Sequence, residues 1–147
     1  VTKKNRKVRR MKELYPDVNI KIFYQKDFRK LLFKYGIPVH ADIVFDLRFL
    51  PNPHFVEALR PKTGLDREVA AYVLDSAEAK ELNGHLRSLL EYASPRYARE
   101  GKAYLTIALG CTGGRHRSVA MAEELARQLG SDHQVVVTHR DAERVTR

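Results

Sequence analysis

The chain has 147 residues, 44% of them apolar, enough for one domain with a buried core, and no run approaches the roughly 18 consecutive apolar residues of a membrane span. Its one cysteine excludes an internal disulfide and leaves no ligand set for a structural zinc, so no metal or cofactor is expected. The net charge of +9 is uneven: residues 1–34 hold 12 of the 27 Lys/Arg against Glu13, Asp17 and Asp27, and the remainder is balanced.

The N-terminal tract is basic without the apolar region of a secretory leader, so a cytoplasmic location is expected. Lys3, Lys4, Arg6, Lys7, Arg9 and Arg10 form a block that would attract a polyanion such as RNA by releasing condensed counterions. The same block reads equally as a solvated tail, and no aromatic interleaves with it to stack on bases.

In chain order, the spacing from Val8 to Tyr15 permits a short helix ended before Pro16, and Val18 to Phe23 alternates apolar and polar residues as a strand does. Asp27 is placed to cap a helix carrying Phe28, Leu31 and Leu32, which Gly36 and Pro38 stop. A strand is predicted over 41–47, and Ile43-Val44-Phe45 suits burial on both faces. The two prolines of Pro51-Asn52-Pro53 then force a loop. Arg60 to Asp66 reads as a turn, with Asp66 or Thr63 capping a helix to about Leu74. Ser76 caps a longer helix to about Ala93, with Leu82, Leu86, Leu89 and Leu90 on one face and Gly84 weakening it. Tyr104 to Leu109 reads as a buried strand, Ser118 to Leu129 as a helix stopped by Gly130, and Gln134 to Thr138 as a last strand. Alternating strands and helices predict a single α/β domain with a mostly parallel sheet flanked by helices.

The densest chemistry is in Gly110-Cys111-Thr112-Gly113-Gly114-Arg115-His116-Arg117-Ser118, between a strand and a helix N-terminus. Gly113 and Gly114 allow a turn tight enough for successive amides to converge on an oxyanion, and the following helix adds free amides and the positive end of its dipole. Arg115 and Arg117 are placed to close on a phosphate, with the Thr112 and Ser118 hydroxyls completing the shell. In a parallel sheet the strand ends share one edge, so Asp46, Arg48, Asn52 and His54 from one loop and His139, Arg140 and Asp141 from another can face this loop. Asp46 and Asp141 could accept from sugar hydroxyls or an ammonium, and Arg48 could take a second anionic group. Asp46 reads as readily as an ion-pair partner of Arg48 or Arg117 that holds the loops, and His139 as a packed, hydrogen-bonded histidine.

The same string fits C-x-x-G-x-x-R-[ST], the pattern of cysteine-dependent phosphatases, with Cys111 as nucleophile and Arg117 on the phosphoryl group. Those enzymes usually carry His before the cysteine, where Gly110 stands, and need an acid for the leaving oxygen. The binding reading, without catalysis, is preferred.

From about Lys34 to Asp141 the chain resembles the C-terminal domain of the RapZ/YvcJ family, the RNase adapter and nucleotide-binding proteins of bacteria. The resemblance rests on Lys34-Tyr35-Gly36-Ile37-Pro38, the run Asp46 to His54, Leu59-Arg60-Pro61 with Thr63-Gly64-Leu65-Asp66, Gly110 to Ser118, and His139-Arg140-Asp141. It implies a regulatory domain over 34–147 that senses an amino-sugar phosphate, preceded by a basic extension over 1–33. It also implies association into homo-oligomers and, in the RNase adapters, binding of small RNAs presented to an endoribonuclease. The family's pocket would map onto Asp46, Arg48, Asn52, His54, Cys111, Thr112, Gly113, Arg115, His116 and Arg117. The adapters end in a strongly basic tail, but here Arg144 and Arg147 are the only cations after Asp141. No G-x-x-x-x-G-K-[ST] loop occurs in the sequence, so ATP or GTP binding does not transfer.

Overall fold

The computed structural model describes Glu13 and residues 40–142. The elements expected before residue 40, and the basic residues Lys3, Lys4, Arg6, Lys7, Arg9, Arg10, Arg144 and Arg147, lie outside the described residues.

Ile43-Val44-Phe45-Asp46 and Ile107-Ala108-Leu109-Gly110 form β1 (Ile43–Asp46) and β2 (Ile107–Gly110), which pair in parallel with Ile43 opposite Ile107 and Asp46 opposite Gly110. Parallel pairing requires a long crossover. It is supplied by a 3-10 turn (Pro53–Phe55), α1 (Arg67–Leu74) and α2 (Ala77–Arg99), and β2 then leads into α3 (Arg117–Leu129). The described residues thus form one α/β domain.

The strand period of two divides the sheet into a covered and an open face. Ile43, Phe45, Ile107 and Leu109 pack against a core of Leu47, Leu50, Val73, Ala79, Leu86, Leu90, Ala120, Met121 and Leu125. Val44, pointing the other way, is 41% exposed, which corrects the expectation of burial on both faces. Only the helix-covered side of β1 is buried, although its apolar run is continuous.

The crossover helices follow the expected signals with three corrections. Asp66 precedes α1 but does not bond a helix amide; its carboxylate accepts from the Thr63 amide at 2.7 Å and hydroxyl at 3.0 Å, closing the turn instead. Ser76 does cap α2, its Oγ accepting from the Ala79 amide at 3.2 Å. On α2 the buried stripe is Ala79, Asn83, Leu86 and Leu90, with Leu82 packed beside it; Leu89 is 44% exposed and off the face. The helix also continues past Ala93 through Pro95 to Arg99. Its stop is Gly101, at φ 79°, where the Lys102 amide bonds the Tyr97 carbonyl and the Gly101 amide the Ala98 carbonyl, the paired bonds of a Schellman ending.

Gly84 lies on the exposed side of α2, and a Cβ there would meet nothing within 4 Å. Gly84→Ala is therefore expected to raise stability by roughly 0.8–1 kcal/mol, read as a higher urea midpoint at unchanged slope.

α3 packs on α1, α2 and β2 and ends where expected, the Gly130 amide closing on the Ala126 carbonyl at 2.8 Å. The strand expected over 134–138 is not formed: Val135 and Val136 are 39% and 83% exposed, and among the described residues no ladder reaches them. β-branched composition does not make a strand without a paired neighbour. Among the described residues no helix is long and apolar enough to cross a membrane.

Candidate functional site

The register that sets Asp46 opposite Gly110 brings the loops after β1 and β2 to one edge of the sheet. The β2 loop, Cys111 to His116, is gripped from three sides by segments distant in sequence.

From the β1 side, Arg117 is the link. It is 4% exposed, and its Nη1 donates to the Arg48 carbonyl at 2.7 Å and the Leu50 carbonyl at 3.2 Å, while Nη2 reaches Thr112 Oγ1 at 3.4 Å. Its Nε is buried without a hydrogen-bond partner among the described residues. From the crossover, the Gly64 amide bonds the Arg115 carbonyl at 2.7 Å, and an Arg115 Nη donates to the Pro61 carbonyl at 3.1 Å. His116 faces the Arg60 and Lys62 carbonyls without forming a well-shaped bond through Nε2. Burial lowers the affinity of its ring for a proton; those carbonyls oppose the effect, and the neighbouring Arg115 and His54 add to it. From the C-terminal side, Asp141 lies against Gly114, whose φ of 64° only glycine adopts readily.

Within the loop the polar groups converge on sulfur. Cys111 Sγ lies 3.2 Å from Ser118 Oγ, with the Ser118 and Gly114 amides and the Arg117 charge nearby. The helix N-cap position is His116, whose side chain makes no capping bond. Burial pushes the thiol up, but the Ser118 hydroxyl, the two amides and Arg117 together bring it below the ordinary thiol range. Alkylation by iodoacetamide is accordingly expected to show its inflection at lower pH than a free cysteine. Ser118→Ala is expected to move that inflection upward, and an unchanged rate profile would contradict the arrangement.

The remaining expected residues divide. Asp46 is held by Arg48, whose Nε lies 2.9 and 2.8 Å from its two oxygens and whose amide bonds Oδ1 at 3.0 Å. This is the ion-pair reading, and the Arg48 bonds hold the Asp46 carboxyl below its usual range despite a small opposing effect of burial. Asn52 accepts from the His54 amide at 3.3 Å, opening the 3-10 turn, and the His54 carbonyl accepts from Arg60 Nε at 2.9 Å. His139 is not brought to the loop: its Nε2 meets Glu123 Oε1 at 2.6 Å on α3, the hydrogen-bonded role. Arg140 pairs with Asp141, Nε to Oδ2 at 2.6 Å. Among the described residues no group of three His, Cys, Asp or Glu is placed to hold a metal ion. The sequence reading treated Gly64 only as part of a turn; its close approach to α3 leaves no local signal.

Residues 27–143 match the family model of the RapZ C-terminal domain. The chain belongs to that family. A nucleotide-binding protein of Geobacillus kaustophilus is 58% identical over 112 residues, covering 76% of this chain and 38% of that protein. One of Brevibacillus brevis is 56% identical over 112 residues, again 76% and 38%. Nucleotide-binding protein YvcJ of Bacillus subtilis is 53% identical over 115 residues, 78% and 39%. The chain therefore spans less than two fifths of the length of these relatives. The RapZ-family match includes the three segments that grip the loop.

Proposed function

We propose that this RapZ-type domain is a regulatory sensor that binds a phosphorylated small molecule, an amino-sugar phosphate in particular, on the loop Cys111–Ser118. One observation carries the reading: the Ser118 hydroxyl, 3.2 Å from the Cys111 sulfur, and the nearby Gly114 and Ser118 amides gather at the N-terminus of α3, beside the buried Arg117 cation. Such a concavity favours a negative group. Arg115 and Arg117 already bond carbonyls, so in this reading the loop amides, Thr112 and Ser118 are the direct donors and Arg117 supplies charge from below. Asp46, Arg48, Asn52, His54 and His116 would frame the rest of the ligand.

The adapter role belongs to the same proposal at longer range. RNA would be held electrostatically by Lys3, Lys4, Arg6, Lys7, Arg9 and Arg10 with Arg144 and Arg147, and an endoribonuclease and further copies of the chain would be its protein partners. The nucleotide binding for which these relatives are named comes to this chain only as a rival ligand class, since its sequence holds no G-x-x-x-x-G-K-[ST] loop.

Gly113 gives the test its variant, because it is exposed and an added Cβ meets nothing within 4 Å. Gly113→Ala should fold normally yet place a methyl where a phosphate must approach the amides. Hexosamine phosphates at 100 times their dissociation constant are expected to add about 2.7 kcal/mol to the wild type in a thermal-shift assay. They should add little to Gly113→Ala, and the unphosphorylated sugars nothing to either. Equal shifts for both proteins would overturn the assignment. The lowered Cys111 thiol favours a second reading, a cysteine phosphatase. Against it, Arg48 holds the Asp46 carboxyl below its usual range, which does not suit it to donate a proton, and the Asp141 carboxylate is engaged by Arg140. Turnover of an aryl phosphate that is lost in Cys111→Ser would establish that second reading.

A further inference from the structure

The segment after α3 runs exposed through Val135 and Val136, then returns abruptly to the interior: Asp141 is 6% exposed and Ala142 4%. What it returns to is the loop. A Cβ at Gly114 would lie 2.9 Å from Asp141 Cβ and 2.9 Å from Oδ2, so the carboxylate rests on a backbone face left bare by glycine. Arg140 orients that carboxylate through Nε at 2.6 Å, and His139 anchors the preceding residue to Glu123 of α3, also at 2.6 Å. Residues 139–142 are thus a strap, fastened to α3 through Glu123, that sets the Arg140-paired Asp141 carboxylate against Gly114, just ahead of the helix N-terminus.

We propose that Asp141 is the loop's resident anion, and that a phosphoryl group binding at Gly113 and Gly114 expels it and releases the strap. This rests on the binding reading above and adds an autoinhibitory contact to it. A phosphoryl group on the Gly113 and Gly114 amides would face the Asp141 carboxylate across Gly114, like charge against like charge. The strapped state therefore binds the ligand less well than the released state. A ligand shifts such an equilibrium by its differential affinity, and the coupling is reciprocal: whatever loosens the strap tightens the ligand by the same factor. Occupancy of the loop is thereby converted into motion of the C-terminal segment.

The test uses the full chain at constant ionic strength, with inorganic phosphate as probe, binding followed by phosphorus NMR and the amides of 140–142 by hydrogen exchange. Asp141→Asn, which keeps the volume and removes the charge, is expected to bind phosphate about tenfold more tightly than the wild type. Saturating phosphate should accelerate exchange at 140–142 in the wild type by about the same factor and change it little in Asp141→Asn. Glu123→Gln, which loosens the His139 anchor and leaves Asp141 intact, should shift affinity the same way and serves if Asp141→Asn folds poorly. Equal affinities with strap exchange indifferent to phosphate would overturn the strap and leave the binding site standing. Failure of every variant to bind phosphate would overturn the strap together with the site.

Discussion

Replacing Gly64 by alanine is expected to destabilise the domain by about 3 kcal/mol or more, and to disorganise the loop with it. The reason is approach. An added Cβ would stand 2.3 Å from the His116 carbonyl oxygen, 2.5 Å from the Ala120 amide nitrogen and 2.7 Å from Val119 Cβ. Two of these three are backbone atoms of the loop and the first turn of α3, which cannot rotate away as a side-chain tip can. The Gly64 amide also holds the Arg115 carbonyl at 2.7 Å, so any retreat of the turn breaks that bond. For a domain of this size the loss corresponds to a melting-point drop of roughly 10 °C or more. Gly113→Ala, with open space around its new methyl, is the matched control and should melt as the wild type does. A Gly64→Ala protein of wild-type stability would refute the packing of the turn on α3.

Arg117 should be the second most damaging position. Its Nη1 is the donor that satisfies two carbonyls of the β1 loop, Arg48 and Leu50, and the whole side chain is sealed in. Arg117→Ala orphans the buried Leu50 carbonyl at about 1–3 kcal/mol and removes the packing of the stem, so a total loss of about 3 kcal/mol is expected in urea unfolding. Arg117→Lys keeps the charge but puts one compact ammonium where a planar fork spanned two acceptors; it should recover only part of that loss. Arg117→Met is the informative variant, because it fills the space and removes a buried cation that is costly in itself. It should be more stable than Arg117→Ala yet gain nothing from added phosphate, which separates the scaffold role of this residue from its electrostatic one. Phosphate stabilising Arg117→Met as much as the wild type would show that the cation does not serve the site.

How much of this was legible in advance depends on the range of the interaction. The periodicity of α3 is a local consequence of one-sided burial, and with the apolar runs of β1 and β2 it marks these elements in the sequence to within a few residues. The glycine spacing at 113 and 114 likewise marks a tight turn ahead of a helix. α2 runs past its expected end near Ala93 because a proline inside a helix forfeits only one bond, whereas the left-handed Gly101 closes two carbonyls at once. What stayed hidden are contacts closed only by the fold. Arg117 read as a free phosphate ligand, because nothing within the loop reports carbonyls 67 and 69 residues away. His139 could be read as a site residue or a packed one, and only the fold places Glu123 beside it. The strand expected at 134–138 failed for the complementary reason, since pairing is a property of two segments.

The parallel register has a consequence for the order of assembly. Ile43 must find Ile107 across a 64-residue separation, and the Asp42 carboxylate meets the Thr106 amide over the same span. Closing a chain segment of that length costs about 4 kcal/mol of entropy before any ladder bond forms, which slows folding relative to a fold built from neighbours. The Cys111–His116 loop lies beyond that closure, and two of the three segments that grip it are on the near side of it. A nascent chain that has emerged only as far as α2 therefore lacks the Cys111–His116 loop, which is fixed in a single late step, when β2 docks and the loop is captured at once by Gly64 and by the carbonyls of the β1 loop.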